Sequence, residues 1–351
     1  MNNFSSLLIG WYKEHKRDLP WRGENDPYKI WISEIILQQT RIEQGRAYYL
    51  RFVEQLPDIQ TLANASEDEI LKLWQGLGYY SRARNLQAGA KFVVENFNGV
   101  FPNTYEDIRK IKGIGDYTAA AIASMAFRLP YAAVDGNAYR VLSRVFGITT
   151  PINSTAGKKE FQLLAQEVLD KHEPDIFNQA MMDFGATHCK AKNPQCDTCP
   201  FEHFCYAKEH QQQSDLPQKL QKITIKNRFL HYFFLKNGEN TYIQKRSPND
   251  IWAGLYEFPL LETTEPADFD ILQENAVFQK FFKGCSFVLE HNPFECKHQL
   301  THQTIFAKFY TLTITDKTPK FSQQTIMIPI ADFDQYPVSR LMNLFFEKMM
   351  K

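Results

Sequence analysis

The sequence predicts a multidomain chain in which an all-α domain is followed by an α/β (α+β) domain. Residues 41–100 show helical patterns joined by short turns, without a β-rich run. A polar segment at 207–222 has the composition of a linker, and alternating, β-rich runs such as 228–235 lie beyond it. We therefore assign residues 1–206 to the helical domain and 223–351 to the second domain. A chain of 351 residues is long enough for two separate cores.

Charge and hydropathy restrict the class of protein. The formal net charge is zero, and basic and acidic residues also balance on each side of residue 222, so bulk charge does not support a nucleic-acid partner. Such a partner would have to be bound by local patches and backbone amides. The N-terminus lacks a signal-peptide pattern, and no apolar run reaches the length of a membrane span. We expect a cytoplasmic protein.

A glycine-containing turn in Ile111-Lys112-Gly113-Ile114-Gly115-Asp116-Tyr117-Thr118 is a candidate phosphate contact. The turn lies between helical patterns at 105–111 and 117–126. Glycines permit a tight turn, and its amides precede a helix whose N-terminal dipole favours an anion. A lone Gly-x-Gly is also typical of an ordinary helical hairpin.

Glu34 is a candidate for acid–base chemistry. It lies in an apolar helical pattern that begins with Asp26 as N-cap and Pro27. At roughly 100° per residue, Glu34 falls between Trp31 and Leu37. Poor solvation disfavours the charged form and raises the pKa, so this carboxyl can act as a general acid. The alternative is a glutamate at the solvent edge of a core helix.

Two other segments have the composition of a nucleic-acid contact. The loop at 18–22 mixes an aromatic, an aliphatic and a cationic side chain, which can line a pocket for a flat base or simply pack a tryptophan. The Gly-x-Gly turn at 76–84 can be a duplex-distorting wedge or a helix cap with surface arginines. The side chains concerned are Leu19, Trp21, Arg22, Leu77 and Tyr79.

A second carboxylate, Asp135, lies in Val134-Asp135-Gly136-Asn137 and is expected to cap the helix at 138–146. A capping aspartate is usually structural. Arg140 and Arg144, one helical turn apart, can flank a phosphate or face water.

Four cysteines in the segment 189–205 indicate a metal site. Their spacing is Cys189-x6-Cys196-x2-Cys199-x5-Cys205. Four thiolates hold zinc or a cubane iron–sulfur cluster, and their number does not distinguish the two. Zinc more often uses two Cys-x2-Cys pairs, and this segment has one.

Residues 252–259, Trp-Ala-Gly-Leu-Tyr-Glu-Phe-Pro, resemble the opening of a Nudix box. The Arg-Glu and Glu-Glu pairs needed for magnesium and pyrophosphate chemistry do not follow. We expect the second domain to bind rather than to hydrolyse.

In their order along the chain, these segments resemble the MutY family of adenine DNA glycosylases over essentially the whole length. Further matching residues are Trp31-Ile32-Ser33-Glu34, Leu37-Gln38-Gln39-Thr40 and Gly76 to Arg82. The resemblance implies a helix-hairpin-helix glycosylase domain with a 4Fe-4S cluster loop at 189–205, followed by a Nudix-like lesion-recognition domain. It implies a monomer, associated with the nucleoid, that removes adenine opposite 8-oxoguanine or guanine in double-stranded DNA.

The resemblance also implies residue roles. Glu34 would protonate adenine N7 and then help to activate water, while Asp135 would stabilise an oxocarbenium-like sugar and Tyr117 and Asn137 would complete the site. The other residues with implied roles are Leu19, Trp21 and Arg22 near the flipped base; Gln39, Leu77 and Tyr79 around the lesion; Thr301 and His302 at the lesion; Lys112, Gly113 and Gly115 at the DNA backbone; and Cys189, Cys196, Cys199 and Cys205 as cluster ligands.

Two alternatives are an endonuclease III-like pyrimidine glycosylase and lyase, and a non-catalytic lesion-binding protein. The first family has a lysine where this chain has Tyr117, and tyrosine cannot form a Schiff base with the sugar, so we expect little strand cleavage. The presence of Glu34 with Asp135 disfavours the second. In the lesion loop, Leu300-Thr301-His302 departs from the family's Phe-Ser-His, which loses a stacking face but keeps a hydroxyl.

Overall fold

The structure is a computed structural model that describes residues 3–38, 40–220, 225–316, 319 and 325–349. The chain separates into two compact units. The first comprises Met1–Ala65 and Asn85–Gln221, and the second comprises Ser66–Arg84 and Lys222–Lys351. No helix in the described ranges combines the length and the apolar character needed to cross a membrane.

Helices make up the first unit, whose described residues contain no strand. The second unit contains α5, the start of α6 and the last three helices. In chain order the helices are α1 (Phe4–His15), α2 (Pro27–Leu37), α3 (Ile42–Gln55), α4 (Ile59–Asn64), α5 (Glu67–Trp74), α6 (Ser81–Phe97), α7 (Tyr105–Lys110), α8 (Asp116–Phe127), α9 (Gly136–Phe146), α10 (Thr155–Val168), α11 (Pro174–Thr187), α12 (Tyr206–Glu209), α13 (Phe269–Glu274), α14 (Ala276–Phe281) and α15 (Arg340–Met349).

The helix starts that place the site follow from capping chemistry. Asp26 accepts a hydrogen bond from the Tyr28 amide at 2.9 Å, and Pro27 occupies the first turn of α2. α2 is apolar on nearly all sides and is buried from Ile30 to Ile36. Because α3 and α8 pack against α2, and α11 packs against α8, a side chain on α2 reaches the interior rather than solvent.

Mixed sheets form the centre of the second unit. A five-stranded sheet has the order β4-β1-β7-β5, with β6 also paired to β7, and a three-stranded sheet has the order β3-β2-β8. β1 runs parallel to β7 along its whole length, and the other pairings are antiparallel. The strands are β1 (Lys226–Lys236), β2 (Asn240–Lys245), β3 (Tyr256–Glu257), β4 (Leu260–Thr263), β5 (Phe287–Leu289), β6 (Phe294–Gln299), β7 (Gln303–Ile314) and β8 (Thr325–Pro329).

Both faces of β1 are buried. Leu230, Tyr232 and Phe234 join one apolar cluster with α15, while Phe233 and Leu235 join another with α13 and α14. Alternation with a period of two places these side chains on opposite faces of the sheet. The predicted fold class, helical and then mixed α and β, is confirmed.

The segment Ser66–Arg84 lies in the second unit, whereas the sequence-based assignment keeps it in the helical domain. Polar contacts hold it there. Asp68 pairs with Lys245 at 2.6 Å, and the Arg84 guanidinium donates to the carbonyl of Ala253. Long-range contacts of this kind leave no local sequence signal.

Candidate active site

A pocket of about 810 Å³ in the first unit collects most of the predicted catalytic residues. It opens beside α2, α8, α9 and α11. Gln38 and Thr40 also line it, but Gln39, which the resemblance places at the lesion, lies outside the described residues. The predicted residues that line this pocket are Leu19, Trp21, Arg22, Glu34, Tyr117, Asp135 and Asn137.

Glu34 is buried in this pocket, with 7% of its surface exposed. The Tyr117 hydroxyl donates a hydrogen bond to Glu34 Oε2 at 2.5 Å. Burial raises the pKa of Glu34 above its ordinary value, while the Tyr117 hydrogen bond and the nearby Arg22 charge oppose part of that rise. The expected poorly solvated carboxyl is therefore present, and its protonated form is favoured.

Asp135 caps α9 and accepts three hydrogen bonds. The donors are the Asn137 amide at 2.9 Å, the Ala138 amide at 2.8 Å and the Asn137 side-chain amide at 2.7 Å. Burial raises the pKa of Asp135, and these three donors act in the opposite direction. The N-terminal end of α9 also favours negative charge here. Asp135 thus combines the predicted structural cap with a position in the pocket.

A chain of hydrogen bonds leads from Asp135 to the cysteine loop. Asn137 Oδ1 accepts from Arg140 Nη2 at 2.7 Å, and Arg140 Nε donates to the Cys189 carbonyl at 2.8 Å. Arg144 is buried and donates to the carbonyl of Lys190 at 2.7 Å. For the buried Arg144, the suggestion of a phosphate or water contact is wrong, because its guanidinium satisfies backbone carbonyls inside the protein. Arg140 is half-buried and is held by Asn137 and by backbone carbonyls.

The thiol groups of the four loop cysteines have the chemistry of ligands to positively charged metal ions. Burial, with a smaller contribution from the negative charges of neighbouring thiolates, raises the pKa of the Cys189, Cys199 and Cys205 thiols, that of Cys199 to about 12. Four mutually interacting thiolates need cations to become stable together. Among the described residues, no three or more His, Cys, Asp or Glu side chains are arranged so that they could hold a metal ion. Arg144 donates to Cys189 Sγ at 3.5 Å, which ties the loop to α9.

The predicted helical hairpin is formed by α7, an exposed turn and α8. Lys112, Gly113 and Gly115 are all exposed in it. Gly113 has φ of +85°, and a Cβ there would lie 2.7 Å from Asn85 Cβ, so glycine is required. Gly115 has no such neighbour, which leaves its backbone open to a close approach.

The second unit contains another pocket, of about 560 Å³, lined by the turn at 76–81 and the loop between β6 and β7. Tyr79 is 49% exposed, and its hydroxyl lies 2.8 Å from Thr301 Oγ1. Leu77 also lines the pocket but is largely buried. Leu300, Thr301 and His302 complete one wall, so the predicted lesion-contacting residues that are described lie together.

Sequence reasoning missed Arg17 and Met182, which line the same pocket, and Asp183, which pairs with Arg17 and Arg22. Asp183 lies within α11, and no motif distinguishes a buried aspartate in a helix from an exposed one. The available signal was helical periodicity, because Asp183 is spaced from apolar residues of α11 as a residue on its buried face would be.

Three segments of the chain match known families. Residues 32–169 match the HhH-GPD superfamily base excision DNA repair protein family. Residues 189–205 match the iron-sulfur binding domain of endonuclease III, and residues 231–348 match the NUDIX domain. The helix-hairpin-helix and Nudix-like assignments are thereby confirmed, as is the 4Fe-4S cluster carried by the four cysteines.

Relatives extend along most of the chain. The adenine DNA glycosylase of Buchnera aphidicola subsp. Baizongia pistaciae (strain Bp) is 36% identical over 313 residues, covering 86% of this chain and 84% of that protein. A thermostable thymine-DNA glycosylase superposes with a TM-score of 0.56 at 30% identity, covering 60% of this chain and 96% of the other. A trapped endonuclease III–DNA covalent intermediate shares the fold, with a TM-score of 0.52 at 23% identity, covering 60% of this chain and 96% of the other.

Proposed function

Because the chain belongs to the family of adenine DNA glycosylases, enzymes that hydrolyse N-glycosyl bonds, we propose that it removes adenine mispaired with 8-oxoguanine or guanine from double-stranded DNA. One observation carries this proposal. Glu34, its donor Tyr117 and the capped carboxylate Asp135 line one pocket that is large enough for a flipped nucleotide.

Glu34 serves first as the general acid. Its proton passes to N7 of the flipped adenine, and the N-glycosidic bond then breaks with its electron pair moving to the base. The sugar becomes oxocarbenium-like, and the negative charge of Asp135 stabilises it. Glu34, now ionised, accepts a proton from the attacking water while the hydroxide adds to C1′. The raised pKa of Glu34 suits it to both transfers.

Tyr117 and Asn137 support these two carboxyls. Tyr117 donates to Glu34, and burial keeps the pKa of its hydroxyl well above the ordinary value, so it remains a donor. It cannot form a Schiff base, and the reaction stops at base removal with little strand cleavage. Asn137 orients Asp135 through its side-chain amide.

The pocket in the second unit reads the opposite strand. Tyr79 and Leu77 enter the base stack, and the Thr301 hydroxyl and the His302 imidazole contact 8-oxoguanine. The exposed turn of Lys112, Gly113 and Gly115 binds phosphates through backbone amides. When bound, the 4Fe-4S cluster supplies a rigid cross-link that orders the DNA-binding loop. We propose that the enzyme acts as a monomer at the bacterial nucleoid.

Release of adenine under single-turnover conditions tests the function. We expect release from A:8-oxoguanine and A:G duplexes, faster from the former, and little from A:C. A duplex with an oxidised pyrimidine is the control for endonuclease III-like activity. Excision of that pyrimidine with strand cleavage, or binding of every duplex without base release, contradicts the proposal.

A further inference from the structure

Asp183 is a fully buried carboxylate, and two arginines that line the candidate active-site pocket share it. Arg17 donates to it from the backbone amide at 3.2 Å and from Nη2 at 2.6 Å. Arg22 donates to the same Oδ1 from its own Nη2. None of the Asp183 side chain is exposed, against 26% for Arg17 and 12% for Arg22.

We propose that Asp183 is a positioning residue for the glycosylase reaction, which holds Arg22 in the pocket and neutralises its charge beside Glu34. The inference rests on the proposed function. Burying a charged aspartate in a helix is costly unless it is paired, and an apolar residue would pack there at lower cost. The pairing therefore serves the pocket rather than the stability of α11.

The Arg22 guanidinium is fixed at the wall of the pocket. Asp183 accepts a hydrogen bond from its Nη2, and its Nε is buried with no hydrogen-bond partner among the described residues. Asp183 therefore sets the orientation of the guanidinium plane at the pocket.

Ionisable groups surround both Glu34 and Asp183. Glu34 faces Arg22, Tyr117 and Asp135. Asp183 faces Arg17, Arg22 and Tyr12, and the two arginines keep its pKa below the ordinary value in spite of burial. An unpaired Arg22 would favour the ionised form of Glu34 and lower its pKa. Asp183 opposes this, so Glu34 retains the proton that it must donate.

The test is the pH dependence of single-turnover adenine release from an A:8-oxoguanine duplex. Asp183→Asn keeps the shape of the side chain but leaves Arg22 unpaired. We expect the alkaline limb of the profile to move to lower pH by about one unit, with roughly tenfold slower release above the limb. Asp183→Glu retains the charge and should restore the limb.

A purely structural role for Asp183 predicts a different result. Slower release by the same factor at every pH, or an unchanged profile, overturns the inference. Wild-type protein without adenine release would refute the proposed function instead, so the two failures are distinguishable.

Arg17→Gln provides a second test of the inference if Asp183→Asn does not fold. This variant removes one cation, so Arg22 becomes the remaining arginine partner of Asp183. The alkaline limb of the pH profile should then stay in place or move to higher pH. Movement to lower pH overturns the inference. Thermal melting of each variant establishes that it is folded.

Discussion

At the scale of single residues, two carboxyls of one pocket are placed in different environments. Glu34 lies among apolar side chains and has the Tyr117 hydroxyl as its hydrogen-bond donor. Asp135 has three N–H donors at a helix N-terminus. Burial acts on both pKa values, but only Asp135 has this many donors to its charged form. Such a difference separates a proton donor from a charge stabiliser.

Glu34→Gln should lower the single-turnover excision rate by about a hundredfold or more, since it removes the transferable proton. Affinity for the duplex should change little, because the side chain keeps its size. Glu54→Gln, at an exposed position of α3, is the matched control and should retain the wild-type rate. A Glu34→Gln enzyme that excises adenine normally would exclude the assigned role.

The pH dependence follows from the raised pKa of Glu34. Its folded-state pKa lies above the unfolded value, so ionisation of Glu34 destabilises the fold as the pH rises through that range. Above it, Glu34→Gln should melt at the same temperature as the wild type or higher. A clearly lower melting temperature would show that ionised Glu34 is stabilising.

Asp135→Asn isolates charge from capping, because asparagine caps helices about as well as aspartate. The loss of electrostatic stabilisation should slow excision by roughly a hundredfold. Melting temperature should fall only slightly. A normal excision rate in a folded variant would mean that Asp135 is only a helix cap.

At the scale of elements, α9 links the pocket to the cysteine loop. Its first residues hold Asp135, and Arg140 continues the hydrogen-bond chain to the Cys189 carbonyl. Arg140→Lys keeps the charge but cannot bridge both partners. Each lost buried hydrogen bond costs about 1 kcal/mol, so excision should slow by roughly fivefold or more with a lower melting temperature. An unaffected rate would show that the chain of contacts does not position Asp135.

The loop between β6 and β7 forms the corresponding element of the second unit. Thr301→Ala with His302→Ala should reduce the preference for 8-oxoguanine over guanine by about tenfold or more, since each neutral hydrogen bond contributes about 1 kcal/mol. Excision and duplex binding are measured on both substrates. Equal losses on the two would mean that the loop supports only general DNA binding, and an unchanged preference would place lesion reading elsewhere.

At the scale of the whole molecule, we propose that the 4Fe-4S loop supports the fold rather than the chemistry. Protein purified without oxygen should contain about four irons per chain and absorb broadly in the visible range. Cys199→Ser should lower folding yield and duplex affinity before it changes the rate in the bound complex. A colourless protein with one zinc per chain would refute the cluster assignment.

The fold class and the two carboxyls of the pocket were predictable because they depend on local signals. Asp26 and Asp135 cap helices, and a glutamate in an apolar helix has few ways to reach water. The inward direction of Arg140 and the pairing of Asp183 were not predictable, because both depend on contacts more than forty residues away. For the same reason the grouping of Ser66–Arg84 with the second unit had no sequence signal.

Single-turnover release of adenine from an A:8-oxoguanine duplex, compared for wild type and Glu34→Gln, tests directly whether Glu34 donates the proton for base removal. Free base and strand cleavage are measured separately. We predict adenine release by the wild type with an intact strand at the abasic site, and almost none by the variant. Equal release by the two proteins, or cleavage of the strand in step with base loss, would contradict the account.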